Sequence, residues 1–200
     1  MNPDASNQQS DPAPSQTIAG MRVAALVADR FEQVELTGPK SAFEAAGAKV
    51  DIISPQHTLT GMKHHTPGDS FVADVDLKDA RADNYDALLL PGGVANGDSL
   101  RIIPEAQTFV REIVAGEKPI AVICHGGWIL ISAGLVRNRT LTSWPTLQDD
   151  YRNAGAHWVD QEVVVDGNWV SSRKPDDIPG FNRAAIEVFA ASRARGRKAA

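Results

Sequence analysis

The chain has 200 residues, 42% of them hydrophobic and 22% charged, the composition of one ordinary globular domain with ample core. A net charge of −5 excludes a global basic field that would recruit nucleic acid or an anionic membrane, and no apolar run reaches membrane-spanning length. A single cysteine excludes an internal disulfide and suits a reducing compartment, so a cytoplasmic location is expected.

Residues 1–20 are rich in Pro, Ser, Asn, Gln and Asp, with neither the basic start nor the hydrophobic stretch of a secretory signal. They are expected to form a disordered polar tail. Arg22–Ala28 is a short apolar run, predicted as the first strand, followed by a loop over Asp29–Gln33. A helix is predicted over Glu35–Gly47, with Gly38-Pro39 placing its start near Pro39 and Gly47 its stop. Lys49–Ile53 is a second strand, which completes a strand–helix–strand unit of crossover size. Gln56–Lys78 is irregular, holding His57, His64 and His65 and a turn signal at Pro67-Gly68-Asp69.

Tyr85–Leu90 is a third buried strand that runs into a loop, Pro91–Asp98. A helix over Pro104–Ala115 leads to an apolar strand from Lys118 to Ile123, which stops at Cys124-His125-Gly126-Gly127. Trp128–Leu135 is helical with a stop at Gly134, Arg139–Ser143 is a strand, and Leu147–Asn153 is a short helix. Glu162–Asp166 and Trp169–Ser172 flank Gly167-Asn168 as a hairpin, and Asp177–Arg193 is a closing amphipathic helix before a basic tail, 194–200. Unbroken apolar strands alternating with helices predict one α/β domain over 21–193. The expected architecture is a flavodoxin-like three-layer sandwich, with a mainly parallel sheet and a late antiparallel hairpin.

Cys124 falls where a buried strand gives way to a helix, the end of an open α/β sheet at which ligands bind. Helix-start N–H groups favour a thiolate there, so a lowered thiol pKa is expected. The same sheet end gathers Glu32, Gly92-Gly93 and His125. Glycines at 92 and 93 can either aim backbone N–H groups at a developing oxyanion or simply turn the chain. Glu32 is either a desolvated acid serving the thiol or an exposed loop residue. Glu35 is explained as a residue near a helix start. His125 can accept a proton if an acid orients it, and Asp98 is the candidate in the third-strand loop, against the alternative of a surface aspartate. His57, His64 and His65 match no familiar zinc spacing, so neither a metal nor another cofactor is expected.

From Arg22 to about Phe189 the chain resembles the PfpI intracellular-protease and general-stress family of the ThiJ/PfpI superfamily. Five ordered blocks carry the resemblance: Phe31–Leu36, Gly68–Phe71, Tyr85–Gly93, Ala121–Gly126 and Val165–Arg173. It implies a nucleophile at Cys124, a histidine at His125, an acid at Glu32 touching the thiol, and a third member, Asp98, from an adjacent subunit. Relatives often carry glutamate after proline at that last position, where this chain has Gly97-Asp98. Gly92, Gly93, Gly126 and His64 fall on the oxyanion- and substrate-binding side. A homodimer or larger homo-oligomer with a shared site is implied, acting on small carbonyl compounds as a glyoxalase or deglycase, or on peptides. The other expectation is a stress protein that works by reversible oxidation of Cys124. A glutamine amidotransferase is disfavoured, because His157-Trp158-Val159 offers no His-x-Glu pair.

Overall fold

Side chains of successive strand residues point to opposite faces, and here both faces are covered, so the apolar runs are buried throughout. Val23 and Ala25 pack with Phe31, Leu36, Phe43, Phe181 and Phe189, whereas Ala24 and Leu26 pack with Phe109, Val110, Ile113 and Leu130. Each fully buried Leu or Phe of these two cores contributes roughly 1.5–3 kcal/mol. The structure is a computed structural model and describes residues 18–199, with side chains to Arg195.

In chain order the strands are β1 (Arg22–Leu26), β2 (Lys49–Ser54), β3 (Thr58–Lys63), β4 (Thr66–Val72), β5 (Val75–Asp76), β6 (Ala87–Leu90) and β7 (Ile120–Ile123). They continue as β8 (Thr140–Leu141), β9 (His157–Trp158), β10 (Val163–Asp166) and β11 (Trp169–Ser172). The helices are α1 (Gln33–Ala45), α2 (Val94–Leu100), α3 (Pro104–Ala115), α4 (Trp128–Ser132), α5 (Gln148–Asn153) and α6 (Ile178–Ala199). The main sheet has the order β10-β11-β7-β6-β1-β2-β5. It is parallel except for the β10–β11 hairpin at one edge. One face carries α1 and α6, the other α3 and α4. This is the expected three-layer sandwich with its late hairpin.

Several elements depart from expectation. Helix α1 begins at Gln33 and runs through Pro39. Gly38 marks no start; it lets α1 approach α6, since a Cβ there would lie 3.2 Å from Ile178 Cγ2. The irregular stretch 56–78 is an antiparallel hairpin, β3–β4. Its turn is at His64-His65, with His64 in the left-handed region (φ 57°), and Pro67-Gly68-Asp69 lies within β4. The loop after β6 is largely helix α2. β8 is two residues long and pairs with β9 outside the main sheet.

At the chain ends, Ile18 is fully buried in the α1/α6 core, so packed chain starts before Met21, while the tail expected over 1–17 lies outside the described residues. α6 continues to Ala199, through most of the segment expected as a basic tail. Among the described residues no helix is long and apolar enough to cross a membrane.

Candidate active site

β7 ends in an elbow. Cys124 adopts φ 59°, a left-handed conformation that costs an L-residue of order 1–3 kcal/mol and is held only because its surroundings fix it. A tight turn over Cys124–Gly127 then leads into α4. Gly126 is needed for close approach to β6, because a Cβ would stand 2.3 Å from the Leu90 carbonyl oxygen. Gly126 therefore packs the elbow and does not line the cleft. Cys124 is 7% exposed, at the floor of a cleft of about 920 Å³.

The acid beside the thiol is Glu35. Because α1 starts at Gln33, Glu35 falls in its first turn, on the buried stripe with Leu36, Pro39 and Phe43. Its carboxyl is fully buried, and Oε2 accepts the Gly92 N–H at 2.8 Å. Only glycine fits at 92: a Cβ would come within 2.4 Å of Glu35 Oε2 and 2.6 Å of Cys124 Cβ. Burial pushes Glu35 up from 4.5 to about 8, against the smaller opposing pull of the Gly92 and Cys124 hydrogen bonds. At neutral pH the carboxyl is therefore mostly protonated.

Glu32, expected against the thiol, sits instead on the cleft rim. Its backbone N–H donates to the Gly92 carbonyl at 3.1 Å, which turns its side chain toward the hairpin. There the carboxylate accepts the His64 N–H at 3.2 and 3.4 Å, with His64 Nδ1 4.0 Å away. His64 itself is exposed at the hairpin tip and lines the same cleft.

Burial pushes the Cys124 thiol up, an ionised Glu35 would push it further, and the His125 and Gly93 backbone N–H groups oppose both. The lowered thiol pKa expected from a helix start is thus not found: desolvation outweighs the backbone donors. While Glu35 keeps its proton, its repulsion is absent and its O–H can donate to sulfur. With the thiol also pushed up, both groups hold their protons at neutral pH, and the first proton lost leaves one negative charge to be divided between sulfur and carboxyl. Gly92 and Gly93 divide accordingly. The Gly92 N–H is committed to Glu35, and the Gly93 N–H, on a φ of 96°, lies toward Cys124 and opposes the rise of its thiol.

The His125 ring lies with Nδ1 3.2 Å from Sγ, edge-on to Trp128 and stacked on Trp144 at 5.1 and 5.9 Å between centroids. Burial lowers it from 6.5 to about 4, so it is neutral at physiological pH. Among the described residues no carboxylate hydrogen-bonds this ring. Asp98 is exposed on α2, and within the chain no hydrogen bond joins it to His125. Its neighbour Gly97 does pack on the elbow, where a Cβ would lie 2.6 Å from the His125 carbonyl oxygen.

Three contributors were not anticipated. Glu35 was legible as a member of the stripe 35, 36, 39, 43 once the helix is started at Gln33. Trp144 caps His125 from a loop 19 residues downstream, and the sequence carries no signal for that. Asn96 is fully buried, accepts the Ala28 N–H at 2.7 Å, and donates to the Pro91 and Gly92 carbonyls at 2.9 and 3.0 Å. It ties the end of β1 to the turn after β6 and so steadies Gly92 beneath the carboxyl.

The sequence and the fold have clear counterparts. A deglycase of Pyrococcus horikoshii is 44% identical over 170 residues, which is 84% of this chain and 99% of that protein. The protein/nucleic acid deglycase 2 of Escherichia coli is 42% identical over 173 residues, 85% of this chain and 98% of that one. Among solved structures, a ThiJ/PfpI domain protein from Brachyspira murdochii superposes with a TM-score of 0.80 at 22% identity, covering 86% of this chain and 98% of its own. The sequence profile of the DJ-1/PfpI family matches residues 21–188, and this chain belongs to that family.

Proposed function

We propose that the chain is a thiol-dependent deglycase that acts on small 2-oxoaldehydes and on their adducts with amines. The observation that carries this reading is the buried, proton-holding Glu35 carboxyl against Cys124 on the floor of an open cleft. Two relatives more than 40% identical over nearly their whole length bear the name deglycase, which supports it.

In this reading Sγ forms a bond to the aldehyde carbon and the carbonyl oxygen takes up a proton, giving a hemithioacetal. With an amine adduct, the carbon–nitrogen bond breaks as the sulfur–carbon bond forms, and the amine leaves with the thiol's proton. Glu35, once ionised, removes the hydrogen on that carbon and returns it to the carbon of the neighbouring ketone through an enediol, with proton shifts between the two oxygens. The product is a thioester of a 2-hydroxy acid. Water cleaves it, releasing the acid and regenerating the thiol. The Gly93 and His125 N–H groups face the reacting sulfur, and neutral His125 can take and return a proton at Nδ1.

A homodimer belongs to the same proposal. Asp98 is flanked by exposed Val94 and Ile102, 58% and 75% exposed, and sits beside the glycine that packs on the His125 backbone. Asp98 from a second copy would give the His125 ring an acid partner that its own chain does not.

The test is conversion of methylglyoxal to lactate, and release of amine from its lysine adduct, by the purified chain and by Cys124→Ala. Turnover that depends on Cys124 is the expected result. Turnover unchanged in Cys124→Ala refutes the reading. No turnover, with peroxide adding oxygen to Cys124, would favour the oxidation role instead.

A further inference from the structure

Two cations stand on the cleft wall without a part in the chemistry above. Arg30 comes from the loop after β1 and Lys174 from the loop after β11, and both line the cleft with Cys124. Because the sheet runs β11-β7-β6-β1, these loops flank the nucleophile, which follows β7, on its two sides. Arg30 is exposed, adopts φ 62°, and its side chain has no hydrogen-bond or ion-pair acceptor among the described residues.

Its mount is nonetheless stiff. The Arg30 N–H donates to the Thr60 carbonyl at 3.0 Å, and the Thr60 N–H to Asp29 Oδ1 at 2.7 Å. Lys174 follows Arg173, whose guanidinium is clamped by Asp177 at 2.9 and 3.1 Å and by Asp160 at 2.8 Å. The carboxylates that share the rim are already engaged. Glu32 accepts from the His64 backbone, and Asp176, 82% exposed, pairs with Lys174 at 3.3 Å. Such an exposed pair is worth about 0–1 kcal/mol and gives way to a better-placed anion. A planar, always-charged guanidinium left without an acid, on a backbone strained but braced, is suited to bind a carboxylate or phosphate with two parallel hydrogen bonds.

We propose that Arg30, with Lys174 on the other side of the thiol, makes the cleft selective for substrates carrying an oxyanion, carboxylate or phosphate, close to the reacting carbonyl. The inference deepens the deglycase reading by naming the substrate class of the same site.

The test does not need turnover. Cys124 is the only cysteine, so alkylation followed by intact mass reports on this site alone. The rate with iodoacetate is divided by the rate with iodoacetamide, and the quotient is referred to that of free cysteine. The wild type is expected to favour the anionic reagent about fivefold at low salt, and to lose most of that preference at 0.5 M NaCl. Arg30→Gln with Lys174→Gln should bring the quotient to about one, and Arg30→Lys alone should keep only part of it, since an ammonium restores the charge without the two parallel hydrogen bonds. Protection by acetate or by inorganic phosphate at constant ionic strength then says which oxyanion is preferred. A wild-type quotient near one, or a preference that survives the double substitution, overturns the proposal. Preference without turnover of methylglyoxal or of a carboxylate-bearing 2-oxoaldehyde sinks the deglycase reading and leaves the anion site standing. Turnover without preference does the reverse.

Discussion

Replacing Glu35 by glutamine removes the proton on which the site is built while keeping the shape and the acceptor for the Gly92 N–H. In the folded chain this carboxyl titrates near 8, against an ordinary 4.5, because burial disfavours its charge. A folded chain that holds a proton more tightly than the unfolded one loses stability as the proton is drawn off. The contribution is thus fully present below pH 4.5 and declines as the pH rises through about 8. At 1.36 kcal/mol per pH unit the interval is worth of order 5 kcal/mol.

His125 works in the opposite sense. It is neutral in the fold down to about 4, so its contribution is present above 6.5 and lost as the pH falls toward 4. That term is common to wild type and Glu35→Gln, so the comparison cancels it. Urea denaturation of both proteins at pH 5.5 and 8.5 is the assay. The stability of the variant relative to wild type should rise by at least about 2 kcal/mol between the two pH values. Parallel pH dependences, within about 0.5 kcal/mol, would mean that Glu35 does not hold its proton in the fold, and the proposed division of charge with Cys124 would fail.

Cys124→Ala should abolish carbonyl turnover yet keep the strain of φ 59°, whereas Cys124→Gly should be the more stable of the two by about 1 kcal/mol in denaturation midpoints. A more stable alanine variant would show that the elbow is not strained. The Tyr151 hydroxyl is fully buried with no partner among the described residues, so Tyr151→Phe should leave stability unchanged or raise it by about 1 kcal/mol. A loss above about 1 kcal/mol would reveal a hydrogen bond at that oxygen. If sites are shared between copies, mixing Cys124→Ala with Asp98→Ala protein should recover part of the activity that each lacks. No recovery after verified subunit exchange would confine the site to one chain.

The central strands β1, β6 and β7 were legible because each is an almost unbroken apolar run, which only a doubly covered sheet accommodates, whereas β5, two residues at the edge, was not. The elbow was legible because a cysteine and two glycines interrupt such a run. What escaped was governed by partners distant in sequence. Gly38-Pro39 looks like a helix start, and the structure uses the glycine for contact with Ile178, 140 residues away. That misplaced start concealed the phase of α1 and left Glu35 as a helix-start residue, while Glu32 took the role of thiol partner from its loop setting and from the family resemblance. The β3–β4 hairpin was hidden because β4 is largely exposed and lacks an apolar alternation. α2 was hidden behind Pro91-Gly92-Gly93, which ends a strand and begins a helix without a polar cap.

Gly92 binds the acid through its nitrogen, receives Glu32 and Asn96 at its oxygen, and leaves bare surface for the cysteine. Thiol and proton store are consequently registered to one residue of main chain, indifferent to whichever side chains populate the rim. If Arg30 and Lys174 select the substrate as proposed, exchanging them would redirect selectivity without disturbing Glu35 and Cys124. A lineage built on this scaffold can therefore diversify its diet while its central chemistry stays put.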